Sequence, residues 1–434
     1  MTPFLKEFLS IPSVSTEEKY RKDILHCVDF LEGQLSSFMK VERWEGKGHP
    51  VLFATYLEDP SKPTLLFYSH YDVQPVDPLE EWESDPFKPE VRGGAIYARG
   101  AQDNKGQLSY VFEAIHQFIQ EGGGLNIKWV IEGEEEAGSS TLTHLLKDKG
   151  KLLRADYGFV VDSEMSSLSK PMFGLSLRGI LTLTLKCRGS KSDLHSGLWG
   201  GIAYNPNRAL IELLASCYGQ DGRVIIPGFY DGIDPMPLED LATHIDYKAA
   251  GVKEGITAFC SEARDSLLTQ NWMLPTLEIN GISGGYAGDG FKTVIPKEAM
   301  AKISCRLVAG QKSEHIKNLL EEYLKKKSPQ GIELSFHFGQ SSDGFRVSPQ
   351  SRGVQAAKHA LEESTGKNCG FVYGGASIPI VPLLQQASQA ELVCIGTGLP
   401  SDSIHAPNEH FSLEQLRIGK TMIGKILKSF CKWN

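Results

Sequence analysis

Short apolar runs alternate with stretches of helical periodicity along the first third of the chain. Parallel strands that are buried on both faces typically show such nearly continuous apolar runs, and three are present: PTLLFYSHYDV (63–73), LNIKWVIEG and ADYGFVVDS. Between the first two, residues 103–124 repeat apolar positions at helical spacing and end at three glycines, which predicts a covering helix. Near the C-terminus, AELVCIGTG (390–398) predicts another buried strand, followed by a closing helix with Ser412 as its N-cap. This pattern predicts an α/β fold with a mostly parallel sheet flanked by helices.

The pattern changes between residues 179 and 345. Apolar and polar positions alternate in GILTLTLKCRG and IELSFHFG, which favours strands with one face in water. Helical spacing returns in NPNRALIELLASC and KSEHIKNLLEEYL, and TVIPKEAMAKISCRLVAG predicts a strand pair or a bent strand. We therefore expect an α+β domain at 179–345, inserted into an α/β domain formed by 1–178 and 346–434.

Composition and charge narrow the classes of protein that are possible. With 41% hydrophobic and 23% charged residues the chain is expected to fold, and a net charge of −8 argues against a nucleic-acid-binding protein. Neither a signal peptide nor a long apolar span is evident, so we expect a cytoplasmic protein without membrane association. The eight cysteines are scattered without CxxC pairs, which predicts reduced, buried thiols rather than disulfides or a thiolate metal site.

Acidic residues and histidines follow the predicted strands of the α/β region. Ligands of open parallel sheets bind at the carboxyl ends of the strands, so side chains at these positions can converge although they are far apart in sequence. The positions are His70, Asp72, Glu134, Glu135, Glu136, Asp162 and His405, together with Asp103 at the start of the long helix.

Each of these residues also has an ordinary structural interpretation. A single histidine or aspartate after a strand is more often a helix cap or turn former, and three adjacent glutamates usually form a solvated surface. As a set, however, carboxylates and imidazoles are the ligands of Zn, Mn or Co. Two divalent cations would more than balance the three negative charges of Asp103, Glu136 and Asp162, and could lower the pKa of a water molecule.

Several sequence motifs resemble the M20 family of dinuclear metallopeptidases, in particular its carnosinase and cytosolic nonspecific dipeptidase branch. The most specific is the combination of SHYDVQP with RGAQDNKGQ in residues 69–107. The others are EGEEEAGSS, VVDSE, DLHSGLWGG (193–201), KTVIPKEAMAKISCRL and GGASIPI. The resemblance implies that the α/β region is a catalytic di-metal domain and that 179–345 is a ferredoxin-like dimerisation and lid domain.

The resemblance also implies a set of metal ligands. His70, Asp103 and Asp162 would hold one ion, while Asp103, Glu136 and His405 would hold the other, so that Asp103 bridges the two. It further implies a cis peptide bond after Asp103.

Adjacent glutamates in EGEEEAG would divide the chemistry between them. The family pattern Glu-Glu-x-Gly fixes the register, so that Glu135 is the general base and Glu136 the ligand, and Glu134 has no assigned role. An extended chain directs neighbouring side chains to opposite sides, which agrees with two different roles. Asp72 would orient the imidazole of His70, although a turn-capping aspartate is an alternative interpretation.

A second set of site residues is implied for the inserted region. In dimeric members of the family the histidine that matches His195 reaches the partner's active site and polarises the scissile carbonyl. Without the resemblance, His195 would be interpreted as a surface or core histidine, and Arg306 as part of a surface ion pair. The implied substrate-binding residues are Arg306, Thr293, Ser377, Gly375 and Ala376. The chain departs from the family at YGGAS, where relatives usually carry an arginine or an acid before GGS, and no matching histidine is evident in SSDGFRVSP.

The resemblance implies a dinuclear metal-dependent exopeptidase that hydrolyses dipeptides. A hydroxide bridging two divalent ions (Zn or Mn, with Co possible) would attack the peptide carbonyl, with Glu135 as base. A small peptide is then the expected substrate, and a homodimer through 179–345 the expected assembly. The alternatives are an M20 amidase acting on N-acyl amino acids and a non-catalytic M20-like binding protein.

Overall fold

The computed structural model describes residues 1–234, 255–258, 267–374 and 377–431 of the chain. The strands in this part of the chain, in chain order, are β1 Lys40–Trp44, β2 Val51–Tyr56, β3 Thr64–His70, β4 Glu90–Arg92, β5 Ala95–Tyr97, β6 Asn126–Glu132, β7 Tyr157–Val161, β8 Met172–Gly174, β9 Ser176–Leu177, β10 Gly179–Arg188, β11 Leu194–His195, β12 Thr276–Gly284, β13 Val294–Ile295, β14 Glu298–Leu307, β15 Glu333–Ser342, β16 Phe345–Arg346, β17 Gly370–Val372, β18 Glu391–Ile395 and β19 His410–Ser412.

The helices in the same part of the chain are α1 Pro3–Leu9, α2 Arg21–Leu35, α3 Lys105–Gln120, α4 Ser140–Lys149, α5 Ser196–Trp199, α6 Pro206–Ser216, α7 Leu267–Met273, α8 Ser313–Lys327, α9 Arg352–Thr365, α10 Val381–Ser388 and α11 Leu413–Cys431. None of them is both long enough and apolar enough to cross a lipid bilayer.

A six-stranded sheet in the order β1-β2-β6-β3-β7-β18 organises the larger region of the molecule. The pairings β6-β3, β3-β7 and β7-β18 are parallel, and β1 and β2 add an antiparallel edge. Strands β3, β6, β7 and β18 are buried almost throughout, which explains their continuous apolar sequence. The predicted α/β fold with a mostly parallel sheet is confirmed.

The parallel strands end at one rim of this sheet. β3 ends at His70, β6 at Glu132, β7 at Val161 and β18 at Ile395. α3 packs against α11, and α11 packs against α9, so that these helices are part of the same hydrophobic core. The residues that end or follow these four strands therefore lie along one rim, where ligands of such sheets usually bind.

The smaller region is built on an antiparallel four-stranded sheet in the order β12-β14-β10-β15. Buried positions alternate with more exposed ones along β10 and β14, as expected for a sheet with one covered face. α6 and α8 pack on the sheet and share a hydrophobic core that is separate from that of the six-stranded sheet. The TVIPKEAMAKISCRLVAG segment forms two strands, β13 and β14, which belong to different sheets.

Local signals in the sequence agree with the element boundaries. The Ser412 side chain accepts a hydrogen bond from the N–H of Gln415 (3.1 Å), which confirms the predicted cap of α11. α3 ends shortly before Gly122, Gly123 and Gly124, and all three adopt positive φ. Seven described cysteines are free, and six of these are buried as predicted, whereas Cys431 is exposed.

Candidate metal centre

Three side chains meet where β3, β7 and α3 come together. His70 is the last residue of β3, Asp162 follows β7, and Asp103 lies two residues before α3. The Nε2 atom of His70 lies 3.1 Å from Oδ1 of Asp103 and 3.5 Å from Oδ1 of Asp162. One potential ligand atom from each of the three residues lies within 4.8 Å of the others, so together they could hold one cation.

A second group shares Asp103 with the first. The Nε2 atom of His405 lies 3.0 Å from Oδ2 of Asp103 and 3.4 Å from Oε2 of Glu136. The ligand atoms of these three residues also lie within 4.8 Å of one another. Each carboxylate oxygen of Asp103 thus faces a different histidine, which is the arrangement that a bridging carboxylate requires. The peptide bond between Asp103 and Asn104 is cis.

The site is strongly negative in electrostatic terms. Burial and the charge of Asp103 raise the pKa of Glu136 to about 7. Hydrogen bonds to Asp103 and Glu136 raise the pKa of His405 to about 10. Burial alone would raise the pKa of Asp103, but hydrogen bonds from His405 and His70 outweigh it and hold that pKa well below its usual range. The raised pKa values of Glu136 and His405 show that added positive charge is favoured beside Asp103.

The donor set fits two divalent cations. Oε1 of Glu136 is buried and has no hydrogen-bond partner among the described residues, whereas Oε2 accepts a hydrogen bond from Nε2 of Gln74 (2.7 Å). A buried carboxylate oxygen without a donor is costly unless something positive meets it. Carboxylates and imidazoles in groups of three, sharing one aspartate, suit Zn, Mn or Co.

Asp72 holds both the imidazole of His70 and the turn that carries the glutamates. Its backbone carbonyl lies 3.0 Å from Nδ1 of His70, and its Oδ1 lies 3.3 Å from the same nitrogen. Its two carboxylate oxygens accept hydrogen bonds from the N–H groups of Glu135 (3.2 Å) and Glu136 (3.1 Å). These contacts favour a proton on Nδ1 of His70, which leaves Nε2 free to coordinate a cation.

Glu135 lies on the same turn but belongs to neither group of three. The turn is a single 3-10 turn, Glu135–Ala137, and the side chain is half-buried. Burial raises the pKa of Glu135 well above its usual range; the charge of His70 opposes this shift, whereas Asp162 and Glu136 add to it. A carboxylate with a raised pKa next to a candidate metal centre is suited to accept and return a proton.

Glu134 has a role that sequence reasoning missed. Its carboxylate is buried, with Oε1 accepting from the N–H of His49 (2.9 Å) and Oε2 from the N–H of Thr141 (2.7 Å). Thr141 is the second residue of α4, so the carboxylate satisfies an otherwise unpaired helix N–H and lies at the positive end of the helix. Glu134 therefore connects the β1–β2 loop and α4 to the turn that carries Glu135. The only feature of the sequence that pointed to this role is a glutamate shortly before the start of a helix.

The remaining predicted site residues form two separate pairs. His195 ends β11, which pairs with β13, and the N–H of Ser196 donates to the carbonyl of Thr293 (3.1 Å). The side chains of His195 and Thr293 are exposed. On β14, Nη1 of Arg306 donates to Oγ of Ser377 in the larger region (2.9 Å). Gly375 and Ala376 lie outside the described residues.

No hydrogen bond joins His195 or Arg306 to the two groups of three, within the part of the chain that the structure describes. Instead, Nδ1 of His195 accepts a hydrogen bond from the N–H of Gly197 (3.0 Å). The neutral imidazole therefore carries its proton on Nε2 and offers a donor to the surroundings.

Comparisons with known proteins identify relatives of this chain. The Cys-Gly metallodipeptidase dug1 of Schizosaccharomyces pombe is 30% identical over 452 residues, which covers 99% of this chain and 94% of that protein. The human Beta-Ala-His dipeptidase is 32% identical over 375 residues, or 83% of this chain and 73% of that protein. The crystal structure of the M20 family metallo-carboxypeptidase Sso-CP2 from Sulfolobus solfataricus superposes with a TM-score of 0.87 at 28% identity, and the match covers 99% of this chain and 100% of that one. A sequence model of peptidase family M20/M25/M40 matches residues 66–429, and this protein belongs to that family.

Proposed function

We propose that this protein is a dinuclear metal-dependent dipeptidase. The observation that carries the proposal is the position of Asp103, whose two carboxylate oxygens lie 3.1 Å and 3.0 Å from histidines of two different ligand groups. The relatives from Schizosaccharomyces pombe and human, which are named as dipeptidases, support dipeptides as the substrate class. Zn or Mn is the proposed metal, with Co as a further possibility, because the ligands are carboxylates and imidazoles.

Glu135 and Glu136 carry out different tasks in this proposal. Bound divalent ions would polarise the peptide carbonyl and lower the pKa of the attacking water. Glu136 serves as a ligand, since its Oε2 lies 3.4 Å from Nε2 of His405. Glu135 takes a proton from the water and returns it to the leaving amine, a task for which a raised pKa is suitable. Asp72 keeps the two glutamates in place through their backbone N–H groups.

His195 acts on the carbonyl oxygen of the substrate, and it does so in a partner subunit. The Nε2–H of its neutral imidazole is available as a donor, since Nδ1 is occupied by the N–H of Gly197. Three exposed apolar side chains follow it in sequence: Leu198 (70% exposed), Trp199 (47%) and Ile202 (75%). A homodimer formed through residues 179–345 would cover these side chains and bring His195 to the second metal centre.

Arg306 binds the terminal carboxylate of the dipeptide. It extends from the four-stranded sheet to Ser377 in the larger region, so its guanidinium lies between the two parts of the molecule. A guanidinium suits two parallel hydrogen bonds to a carboxylate. Thr293, Gly375 and Ala376 complete the proposed substrate contacts. Residues 179–345 would then form a lid that closes on substrate against a catalytic domain of 1–178 and 346–434.

A cytoplasmic location completes the proposal. Cys27, Cys187, Cys217, Cys305, Cys369 and Cys394 are buried and carry free thiols. Unpaired thiols are usual in a reducing compartment.

A substrate panel tests the proposed activity. The purified chain, supplied with Mn or Zn, is incubated with dipeptides that have both termini free and, in parallel, with N-acetyl and N-succinyl amino acids. We expect hydrolysis of the free dipeptides. Turnover of the acyl amino acids alone would contradict the proposal in favour of an amidase. Two bound ions without turnover of either class would favour the non-catalytic binding protein.

A further inference from the structure

A fully buried carboxylate joins the loop of His405 to the segment that ends at Asp103. Glu409 is 0% exposed, and its two oxygens accept four hydrogen bonds from one short segment of chain. The donors are Nη1 of Arg99 (2.8 Å) and the backbone N–H groups of Gly100 (2.8 Å), Gln102 (2.9 Å) and Asp103 (3.0 Å). A carboxylate with this many donors has little freedom to move, and the segment that supplies them has little freedom either.

The two loops joined by Glu409 each carry a ligand of the second group. The segment 99–103 ends at Asp103, and His405 lies four residues before Glu409 in the loop between β18 and β19. The side chains of Asp103 and His405 meet at 3.0 Å. Glu409 thus connects, through the backbone, the same two loops whose side chains face each other in the candidate metal centre.

Arg99 extends the connection to a third loop. Its guanidinium is 1% exposed; besides Glu409 it donates through Nη2 to the carbonyl of Pro75 (3.0 Å), three residues after Asp72. A buried ion pair is tolerated where hydrogen bonds satisfy both partners. A neutral residue in place of Glu409 would leave buried N–H groups of the 99–103 segment without an acceptor.

The two ligand groups differ in how much they depend on this connection. His70 is the last residue of β3 and Asp162 directly follows β7, and the side-chain amide of Asn104 donates to Oδ1 of Asp162 (2.9 Å). His405, in contrast, lies in a loop of fourteen residues between β18 and β19, is exposed, and has a positive φ of 57°. The sheet therefore fixes two of the three residues of the first group, whereas Asp103 and His405 of the second group are both held by loop contacts.

We propose that Glu409 is a positioning residue that preorganises the Asp103–Glu136–His405 group for its metal ion. It acts through the backbone N–H of Asp103 on one side and through the short stretch of chain to His405 on the other. This inference rests on the proposed dinuclear centre and adds that the second ion depends on Glu409 more than the first does. Substitutions of residues that orient ligands typically weaken metal binding by about 10- to 100-fold.

Titration of the metal-free protein with Co²⁺ tests the inference. Calorimetry gives the two affinities, and the visible absorption of Co²⁺ reports the geometry of each site. The ion of the second group is identified as the one whose Co²⁺ absorption His405→Ala removes. For Glu409→Gln we expect this ion to lose at least about tenfold in affinity, while the other ion changes by less than about threefold. Equal losses for both ions, or no loss for either, would overturn the inference.

A matched control distinguishes a general loss of stability in the loop from a specific effect of Glu409 on the position of the metal ligands. Asp402 is a buried carboxylate in the same loop, but it accepts from Leu399 N–H (2.8 Å) and from Nε2 of Gln415 (2.6 Å) instead of residues 99–103. Asp402→Asn is expected to keep both Co²⁺ affinities. Selective loss of the second ion in this variant as well would overturn the assignment to Glu409.

Three further outcomes are distinguishable. If Glu409→Gln does not fold, Arg99→Met replaces it, and an unchanged second Co²⁺ affinity in that folded variant would overturn the inference. A wild-type chain that binds fewer than two Co²⁺ ions would instead contradict the proposed dinuclear function itself, and the inference with it. A wild-type chain that binds two ions with no effect of Glu409→Gln would leave the function intact and remove only the role of Glu409.

Discussion

The candidate metal centre at the rim of the six-stranded sheet is assembled from residues of one chain. The exposed edge around His195 is not assembled in this way. At the rim, His70, Asp103 and Asp162 are buried or half-buried and already lie within ligand distance of one another. His195 is exposed, makes its side-chain hydrogen bond to a neighbour two residues away, and is followed by exposed apolar residues. The candidate ligand groups are thus preassembled in one chain, whereas His195 is proposed to act on the substrate carbonyl in a second chain.

This difference follows from the direction of the strands in the two sheets. Parallel strands direct their carboxyl ends to one rim, so loops from distant parts of the chain meet there. The four-stranded antiparallel sheet has no such common end, and His195 lies exposed on the separate two-stranded β11–β13 ribbon. We therefore expect the chemistry at the rim to depend on single residues of one chain. The chemistry at the edge is expected to depend on the formation of a dimer.

The largest expected effect is the loss of turnover when Glu135, the proposed proton carrier at the rim, is replaced. Glu135→Gln keeps the size of the side chain but cannot take up a proton, so we expect kcat to fall by about 10²- to 10⁴-fold. Steady-state kinetics on a dipeptide measures the change. The matched control is Glu80→Gln, an exposed glutamate on another 3-10 turn, which should keep its kcat. A kcat for Glu135→Gln within threefold of wild type would contradict the assignment.

A second effect concerns the exposed edge. His195→Ala removes the proposed donor to the carbonyl oxygen and should lower kcat by about 10²- to 10³-fold. Arg306→Ala should also be impaired. When the two variants are mixed and exchanged, each heterodimer contains one site with both residues intact if His195 acts across the interface. Analytical ultracentrifugation verifies the dimers, and their failure to recover activity would show that the histidine does not act in the partner.

The metal affinity of the rim should depend on pH. In the metal-free chain the pKa of His405 is raised to about 10 and that of Glu136 to about 7, so both groups hold protons below these values and a metal ion must displace them. Affinity at the second group is therefore expected to rise by about tenfold per pH unit above pH 7, and more steeply below it. Calorimetry in buffers of different ionisation enthalpy counts the released protons. An affinity that does not change between pH 6 and pH 8 would contradict this account.

The smallest effect is expected for Glu134, which supports the rim without belonging to either ligand group. Glu134→Gln retains one acceptor oxygen but turns an N–H donor toward a backbone N–H of His49 or Thr141. We expect the free energy of unfolding to fall by about 1 to 2 kcal/mol, measured by urea denaturation, with two metal ions still bound. Loss of an ion in this variant would instead indicate that Glu134 is a metal ligand.

The meeting of His70, Asp162 and His405 could be predicted from sequence because the apolar runs identify parallel strands, and the carboxyl ends of parallel strands share one rim. The cap at Ser412 could be predicted because it depends only on neighbours three residues away. The contacts of Glu134 and Glu409 could not. Glu409 meets the N–H of Asp103 across 306 positions, and no periodicity reveals which backbone N–H groups a loop will direct at a distant carboxylate.

The central claim is that the rim holds two ions and that neighbouring glutamates divide ligation from proton transfer. Metal analysis of the wild type, Glu135→Gln and Glu136→Gln, each dialysed against the same low concentration of Mn or Zn, tests it most directly. We predict two ions per chain in the wild type, two in Glu135→Gln, and one or none in Glu136→Gln. Loss of an ion from Glu135→Gln, with two retained by Glu136→Gln, would contradict the account.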